Sequence, residues 1–238
     1  MFDLFPMIQP RQFSIASSPR AHPNEIHLCV AIVKYQTRIT EPRYGQCTHM
    51  LARTTVGQRL PIWIMKGTIF MPKREDLPML MIGPGTGVAP FRGFIGERLG
   101  RAPSDDATDG RQGGTASAHK SMLVFGNRKQ EKDYLFGREW EAYRKSNQLD
   151  LVTAFSRDQP DKVYVQHEMI NRGKDIWDLI HNGKAVVYVC GNSKRMPDDV
   201  KKALRTIAQT HAPMTEDEAS SYITQLETAR RLQLETWA

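Results

Sequence analysis

Gly83, Gly85 and Gly87 follow the apolar run Met79–Ile82 and precede residues at helical spacing, Phe91, Phe94, Ile95 and Leu99. A strand, a turn free of obstructing side chains and a helix start leave backbone N–H groups bare at the positive end of a helix, which attracts phosphate. The pattern is Gly-x-Gly-x-Gly, around Pro84 and Thr86, and an ordinary tight βα turn satisfies it equally well. Further along, Ser156 and Arg157 precede Lys162, Tyr164 and Gln166. A planar guanidinium fork, a point charge and two hydroxyls suit a phosphate monoester such as the 2′-phosphate of NADP. A solvated loop with incidental positive charge is the alternative. Cys190 closes the apolar run Val186–Cys190 just before Gly191, and such a thiol is ordinarily structural and buried.

These residues need a scaffold that brings strand ends together. From Pro78 onward the chain alternates strand and helix patterns. The expected strands are Met79–Ile82, Met122–Phe125, Asp150–Phe155, Ala185–Cys190 and Leu232–Trp237. The expected helices are Val88–Leu99, Glu131–Lys145, a stretch from Val165 to Ile180 split near Gly173, one carrying Met196, Val200, Ala203, Leu204 and Ile207, and one opened by a Thr215/Glu218 capping box. In an open parallel sheet, ligands lie beyond the carboxyl ends of the strands, where Gly85 and Arg157 would both stand. Residues 101–119, rich in Gly, Ser, Asp, Thr and Ala without periodicity, read as a flexible insertion.

The first 75 residues read mostly as β. Arg11–Ser18 reads as a strand reaching a turn at Pro19, while Ile26, Leu28, Val30 and Ile32, and then Leu60, Ile62 and Ile64, alternate. A short helix is expected after Gly45. Phe2, Leu4, Phe5 and Ile8 look like the end of a helix whose start is missing.

Composition narrows the class. No apolar run approaches the ~20 residues of a membrane span, and Met1–Pro6 lacks a signal-peptide pattern. Three widely spaced cysteines argue against a disulfide framework or a zinc site, leave no metal site to expect, and suit a reducing cytosol. The net charge of +7 is scattered without a basic block, so phosphorylated cofactors or an acidic partner explain it better than nucleic acid does.

Taken together, the motifs resemble the flavin/NADPH half of the diflavin reductases, of the ferredoxin–NADP reductase type. They are Arg-x-Phe-Ser-Ile-Ala-Ser-Ser, Gly-x-Cys-Thr, Gly-Pro-Gly-Thr-Gly-Val-Ala-Pro-Phe-Arg, Phe-Gly-Asn-Arg, Ser-Arg-Asp-Gln with Lys-Val-Tyr-Val-Gln, and Cys-Gly-Asn, in that family's order. Pro10–Ser14 and the terminal Glu235–Ala238 resemble the branch that serves cytosolic iron–sulfur assembly. The resemblance implies an α/β fold: a five-stranded parallel NADP-binding sheet with helices on both faces over residues 76–238, preceded by a partial antiparallel FAD-binding barrel over residues 1–75. It also implies that the chain is N-terminally truncated relative to the family.

By the same resemblance, Arg11, Phe13 and Ser14 would hold the flavin, Arg11 at the FAD pyrophosphate and Phe13 packed on the isoalloxazine. Gly45, Cys47 and Thr48 would offer N–H groups to that pyrophosphate. Thr86, between Gly85 and Gly87, and Arg128 would meet the NADPH pyrophosphate, and Arg157, Lys162 and Tyr164, with Ser156 and Gln166, the 2′-phosphate end. Ser14, Cys190 and Glu235 would stand at the nicotinamide. Trp237 would stack on the flavin and swing aside, though a terminal aromatic that patches the core remains open. The implied activity passes hydride from NADPH to FAD and electrons onward to FMN in a domain of a longer chain. The implied acceptor is an acidic or iron–sulfur protein such as anamorsin, in the cytoplasm, with no membrane or nucleic-acid partner. The rivals are a reductase module for a cytochrome or sulfite reductase, and a non-catalytic NADPH-binding fragment without flavin.

Overall fold

The structure is a computed structural model, and it describes residues 9–38, 41–100 and 121–237. The expected insertion at 101–119 and the helix-like start at Phe2–Ile8 lie outside the described residues. In chain order, β1 (Lys34–Tyr35) and β2 (Arg43–Tyr44) form a small antiparallel pair followed by helix α1 (Gln46–Arg53). The α/β part runs β3 (Met79–Pro84), α2 (Ala89–Leu99), β4 (Met122–Asn127), α3 (Gln130–Asp133), α4 (Gly137–Lys145), β5 (Asp150–Phe155), α5 (Val165–Asn171) and α6 (Gly173–Trp177). It ends with β6 (Val186–Asn192), α7 (Met196–His211), α8 (Glu216–Thr228) and β7 (Leu232–Trp237).

All five later strands pair in parallel in the order β5-β4-β3-β6-β7. Successive side chains of a strand point to opposite faces, so each strand feeds two cores. Leu80, Ile82, Val187 and Val189 pack under α5 to α8, with Met169, Ile176 and Leu204. Met79, Met81, Tyr188 and Cys190 pack under α2 and α4, with Phe91, Ile95 and Trp140. A sheet covered on both faces explains why these strands read as unbroken apolar runs. Among the described residues, no helix is long and apolar enough to cross a membrane, and no cluster of His, Cys, Asp and Glu could hold a metal.

Two expectations are corrected. The helix expected over Glu131–Lys145 breaks at Phe136, whose φ is +57°. A Cβ on Gly137 would lie 2.6 Å from the Tyr134 ring, which packs edge-on against Phe155 at 5.3 Å between centroids. Burying that ring takes precedence over helix continuity. The second correction concerns the first 75 residues. The strands expected at Arg11–Ser18 and Ile26–Ile32 are reduced to one antiparallel bridge between Ile15 and Leu28, and Leu60–Ile64 forms no strand. Period-2 alternation signals a face to bury, and a strand also needs a neighbour on its edge. Ile62 and Ile64 are each 68% exposed, so nothing among the described residues supplies that face.

Candidate functional site

The sheet sets the site's position before any side chain does. β3 is followed outward by β4 and β5 on one side, whereas β6 and β7 lie on the other. The chain thus departs in opposite directions from the β3/β6 pair, and a crevice opens past their carboxyl ends. Gly87 forms its floor: a Cβ there would sit 2.0 Å from the Cys190 carbonyl oxygen, so only glycine lets the turn pack against β6. Gly85, at φ +59°, has open space above it. The turn Gly85–Val88 leads into α2, whose start carries no side-chain cap and has Pro90 in its first turn. The Ala89 N–H donates to the Thr86 carbonyl and Pro90 carries none, so the N–H groups left for an outside acceptor are those of the turn itself, Gly85–Gly87, which no side chain caps at Pro84.

The cationic set gathers at the β4 and β5 ends. The Ser156 N–H donates to the Asn127 carbonyl at 2.9 Å and the Arg157 N–H to that of Arg128 at 2.8 Å, which continues the pairing past both strands. Arg128 and Arg157 are thereby backbone neighbours. Among the described residues neither they nor Lys162 enters an ion pair. Tyr164, at the cap position of α5, stays exposed. Gln166 turns elsewhere, its amide donating to Asp199 of α7 at 3.5 Å.

On the other side of the crevice, β6 and β7 place Cys190 in register with Glu235 and Asn192 with Trp237. The Ser14 hydroxyl donates to Glu235 Oε1 at 2.7 Å, which joins the first motif of the chain to the last. Thr68, which sequence reasoning passed over, donates to Glu235 Oε2 at 2.9 Å. Cys190 is fully buried, and burial, reinforced by the Glu235 charge, raises its thiol pKa far above the usual range. It therefore carries its proton at any physiological pH. Trp237 remains 37% exposed at the strand end, its carbonyl accepting from the Ser193 N–H at 2.8 Å.

The N-terminal motifs are held more loosely. The Gly45 N–H donates to the Val33 carbonyl at 2.9 Å, and Val33 N–H returns a bond to the Thr48 hydroxyl at 3.1 Å. A Cβ on Gly45 would meet Thr48 Oγ1 at 2.8 Å. No side chain caps α1 at Gly45, and Cys47 and Thr48 are half-buried in its first turn. Arg11 is exposed and donates to the Gln9 carbonyl at 2.7 Å, while Phe13 is half-buried.

Both donor sets fit dinucleotides. A glycine floor that a Cβ would fill, an uncapped helix start and cations without acidic partners among the described residues match the pyrophosphate and 2′-phosphate of NADPH. The uncapped α1 with Arg11 and the half-buried Phe13 match a flavin dinucleotide.

One feature at the junction of the two parts was not legible in the sequence. Arg92 of α2 is 8% exposed and donates to the Ala16 carbonyl, to both Glu139 oxygens and to His27 Nδ1, each at 2.8 Å, and to His22 Nε2 at 3.1 Å. Its guanidinium also lies 4.7 Å from the Phe136 ring centroid. It clasps the segment after Ser14 to the α/β part.

Known proteins show the same two parts. Residues 81–202 match the family model "Oxidoreductase NAD-binding domain", and residues 1–50 match "FAD binding domain". The chain is 42% identical over 242 residues to NADPH-dependent diflavin oxidoreductase 1 of Mus musculus, covering 100% of this chain and 38% of that protein. The Arabidopsis thaliana protein of the same name is 38% identical over 248 residues. NADPH–cytochrome P450 reductase of Musca domestica is 36% identical over 239 residues, covering 99% of this chain and 34% of that protein. The chain thus spans little more than a third of the length of these relatives. By the match over residues 81–202, which carries the glycine turn, the cation cluster and Cys190, the chain belongs to the oxidoreductase NAD-binding domain family.

Proposed function

We propose that the chain is the FAD/NADPH half of a diflavin reductase, with residues 1–75 serving the flavin and 76–238 the nicotinamide nucleotide. The observation that carries this reading is the convergence of Ser14, Cys190 and Glu235 beside Trp237, at the crevice where the sheet changes direction. When bound, the two cofactors supply the redox chemistry, hydride leaving reduced nicotinamide for flavin.

The chain's own residues bind, orient and exclude. The Gly85–Gly87 turn and the α2 start take the pyrophosphate with Thr86 and Arg128. Ser156, Arg157, Lys162 and Tyr164 take the 2′-phosphate, and Gln166, bound to Asp199, braces the α5 start beside them. Cys190 keeps its proton and presents a neutral, compact surface to the nicotinamide ring. Glu235 offers acceptor oxygens there, steadied by Ser14. Trp237, exposed at the end of β7, would cover the flavin face and swing aside to admit nicotinamide.

Electrons pass onward to an FMN domain and then to an acceptor. A net charge of +7 favours an acidic acceptor, and an iron–sulfur protein of cytosolic cluster assembly, anamorsin among them, fits that requirement. Cys29, Cys47 and Cys190, all free thiols, agree with a cytoplasmic setting. The test is NADPH-driven reduction of ferricyanide by the flavin-loaded protein. Turnover that falls in Cys190→Ala supports the reading, and absence of NADPH-dependent reduction in the loaded wild type overturns it.

A further inference from the structure

We propose that Thr68 is a positioning residue of the hydride-transfer site, fixing the Glu235 carboxylate through a strap laid over the face of the sheet that Tyr188 and Cys190 occupy. The proposal rests on the reductase reading above and adds to it a residue outside the motifs.

The strap is Gly67–Met71, between α1 and β3. It is fastened at four points. The Phe70 N–H donates to Gln233 Oε1 at 2.8 Å, and the Gln233 amide returns a bond to the Phe70 carbonyl at 3.3 Å. The Tyr188 hydroxyl also donates to that carbonyl, at 2.8 Å. Ile69 is buried in the core beneath α2. The fourth point is Thr68 on Glu235 Oε2. A side-chain amide that pairs with both backbone groups of Phe70 imitates one rung of a ladder, so the strap follows β7 without being a strand.

Its consequence falls on Glu235. A glutamate has three side-chain torsions to fix, and freezing them costs conformational entropy. One bond from Ser14 to Oε1 leaves the carboxylate free to pivot about that contact. A second bond to Oε2, from a segment anchored independently of Ser14, removes the pivot. The two hydroxyls come from chain positions 54 residues apart, and both converge on a residue in register with Cys190. Gly67 belongs to the same arrangement, since a Cβ there would lie 3.8 Å from Glu235 Oε2.

Thr68→Val removes the hydroxyl and preserves the shape, and Thr68→Ser restores the hydroxyl. In stopped-flow reduction of the flavin-loaded protein by NADPH, Thr68→Val should slow hydride transfer by roughly tenfold, from the loss of a hydrogen bond to a charged group. The apparent affinity for NADPH should change by less than about twofold, because the phosphate contacts are untouched. Thr68→Ser should recover most of the rate. Independently of activity, the side-chain carboxyl carbon of Glu235, identified by its loss in Glu235→Gln, should shift in 13C-glutamate spectra of Thr68→Val and return in Thr68→Ser. An unchanged transfer rate in Thr68→Val, or a loss that Thr68→Ser does not recover, overturns the proposal. So does an unmoved Glu235 resonance. A wild type that transfers no hydride defeats the reductase reading instead, and the resonance still decides whether Thr68 holds Glu235.

Discussion

At the scale of single residues, the site is governed by what each position excludes. Gly87 and Gly85 stand in one turn but answer to different constraints. Alanine at Gly87 would put a carbon 2.0 Å from the Cys190 carbonyl, so the turn or β6 must move. Alanine at Gly85 meets empty space and suffers only the strain of a positive φ, about 1–2 kcal/mol. Gly87→Ala is therefore expected to lower stability by about 3 kcal/mol or more, beyond the usual range of a surface substitution, and to weaken NADP+ binding. Urea denaturation of the two variants side by side checks this, with Gly87→Ala the more damaging. The glycine pattern was legible in the sequence, but which glycine is indispensable depends on β6 passing behind it. Thr68 gave no signal, for a lone hydroxyl in a loop carries no period. Arg92 closes the glycine motif in the sequence, but nothing local says that its partners are His22, His27 and Glu139.

At the scale of elements, the clasp around Arg92 carries a pH dependence that follows from hydrogen-bond roles. Arginine only donates, so His22 Nε2 and His27 Nδ1 must both accept, and both rings are neutral in this arrangement. His27 then carries its proton on Nε2, where it faces Glu25 at 2.6 Å. The titratable and charged groups that act on His22 are Arg92 from α2, Glu139 from α4, and Glu25 and His27 from its own segment. Burial first, then the Arg92 charge and His27, lowers the His22 pKa below 6.5, outweighing Glu139 and Glu25. The unfolded chain therefore binds more protons than the native one as pH drops through that range. The stabilisation is present above about pH 6.5 and is lost as pH falls through the lower native value. Urea midpoints should fall between pH 7.5 and 5.5, and His22→Gln, which keeps an acceptor but does not titrate, should flatten the fall. An equal slope in the variant would remove His22 from the explanation. The elements themselves differed in legibility. The parallel strands showed as apolar runs because both faces are covered, whereas the split of α3 from α4 depends on where the Tyr134 ring goes.

At the scale of the whole molecule, the chain is one well-packed α/β part joined to a segment that leaves much apolar surface in solvent. Ile26, Leu28, Ile32, Val33, Tyr35, Tyr44 and Trp63 are all exposed, and among the described residues the antiparallel pairing there is limited to β1 with β2 and the Ile15–Leu28 bridge. The alternation in Ile26–Ile32 and Leu60–Ile64 told which face wants burial but not what would cover it. The flavin contacts proposed for residues 9–75 thus rest on fewer fixed points than the nucleotide contacts proposed for residues 76–237. Those nucleotide contacts are tested by calorimetric titration of the protein with NADPH and with NADH. The two differ only in the 2′-phosphate assigned to Ser156, Arg157, Lys162 and Tyr164. A charged phosphate contact is worth about 1.5–3 kcal/mol, or roughly ten- to a hundredfold in affinity. NADPH should bind more tightly by about that factor, and Arg157→Ala should erase most of the difference. Equal affinity of the wild type for NADPH and NADH would contradict the account.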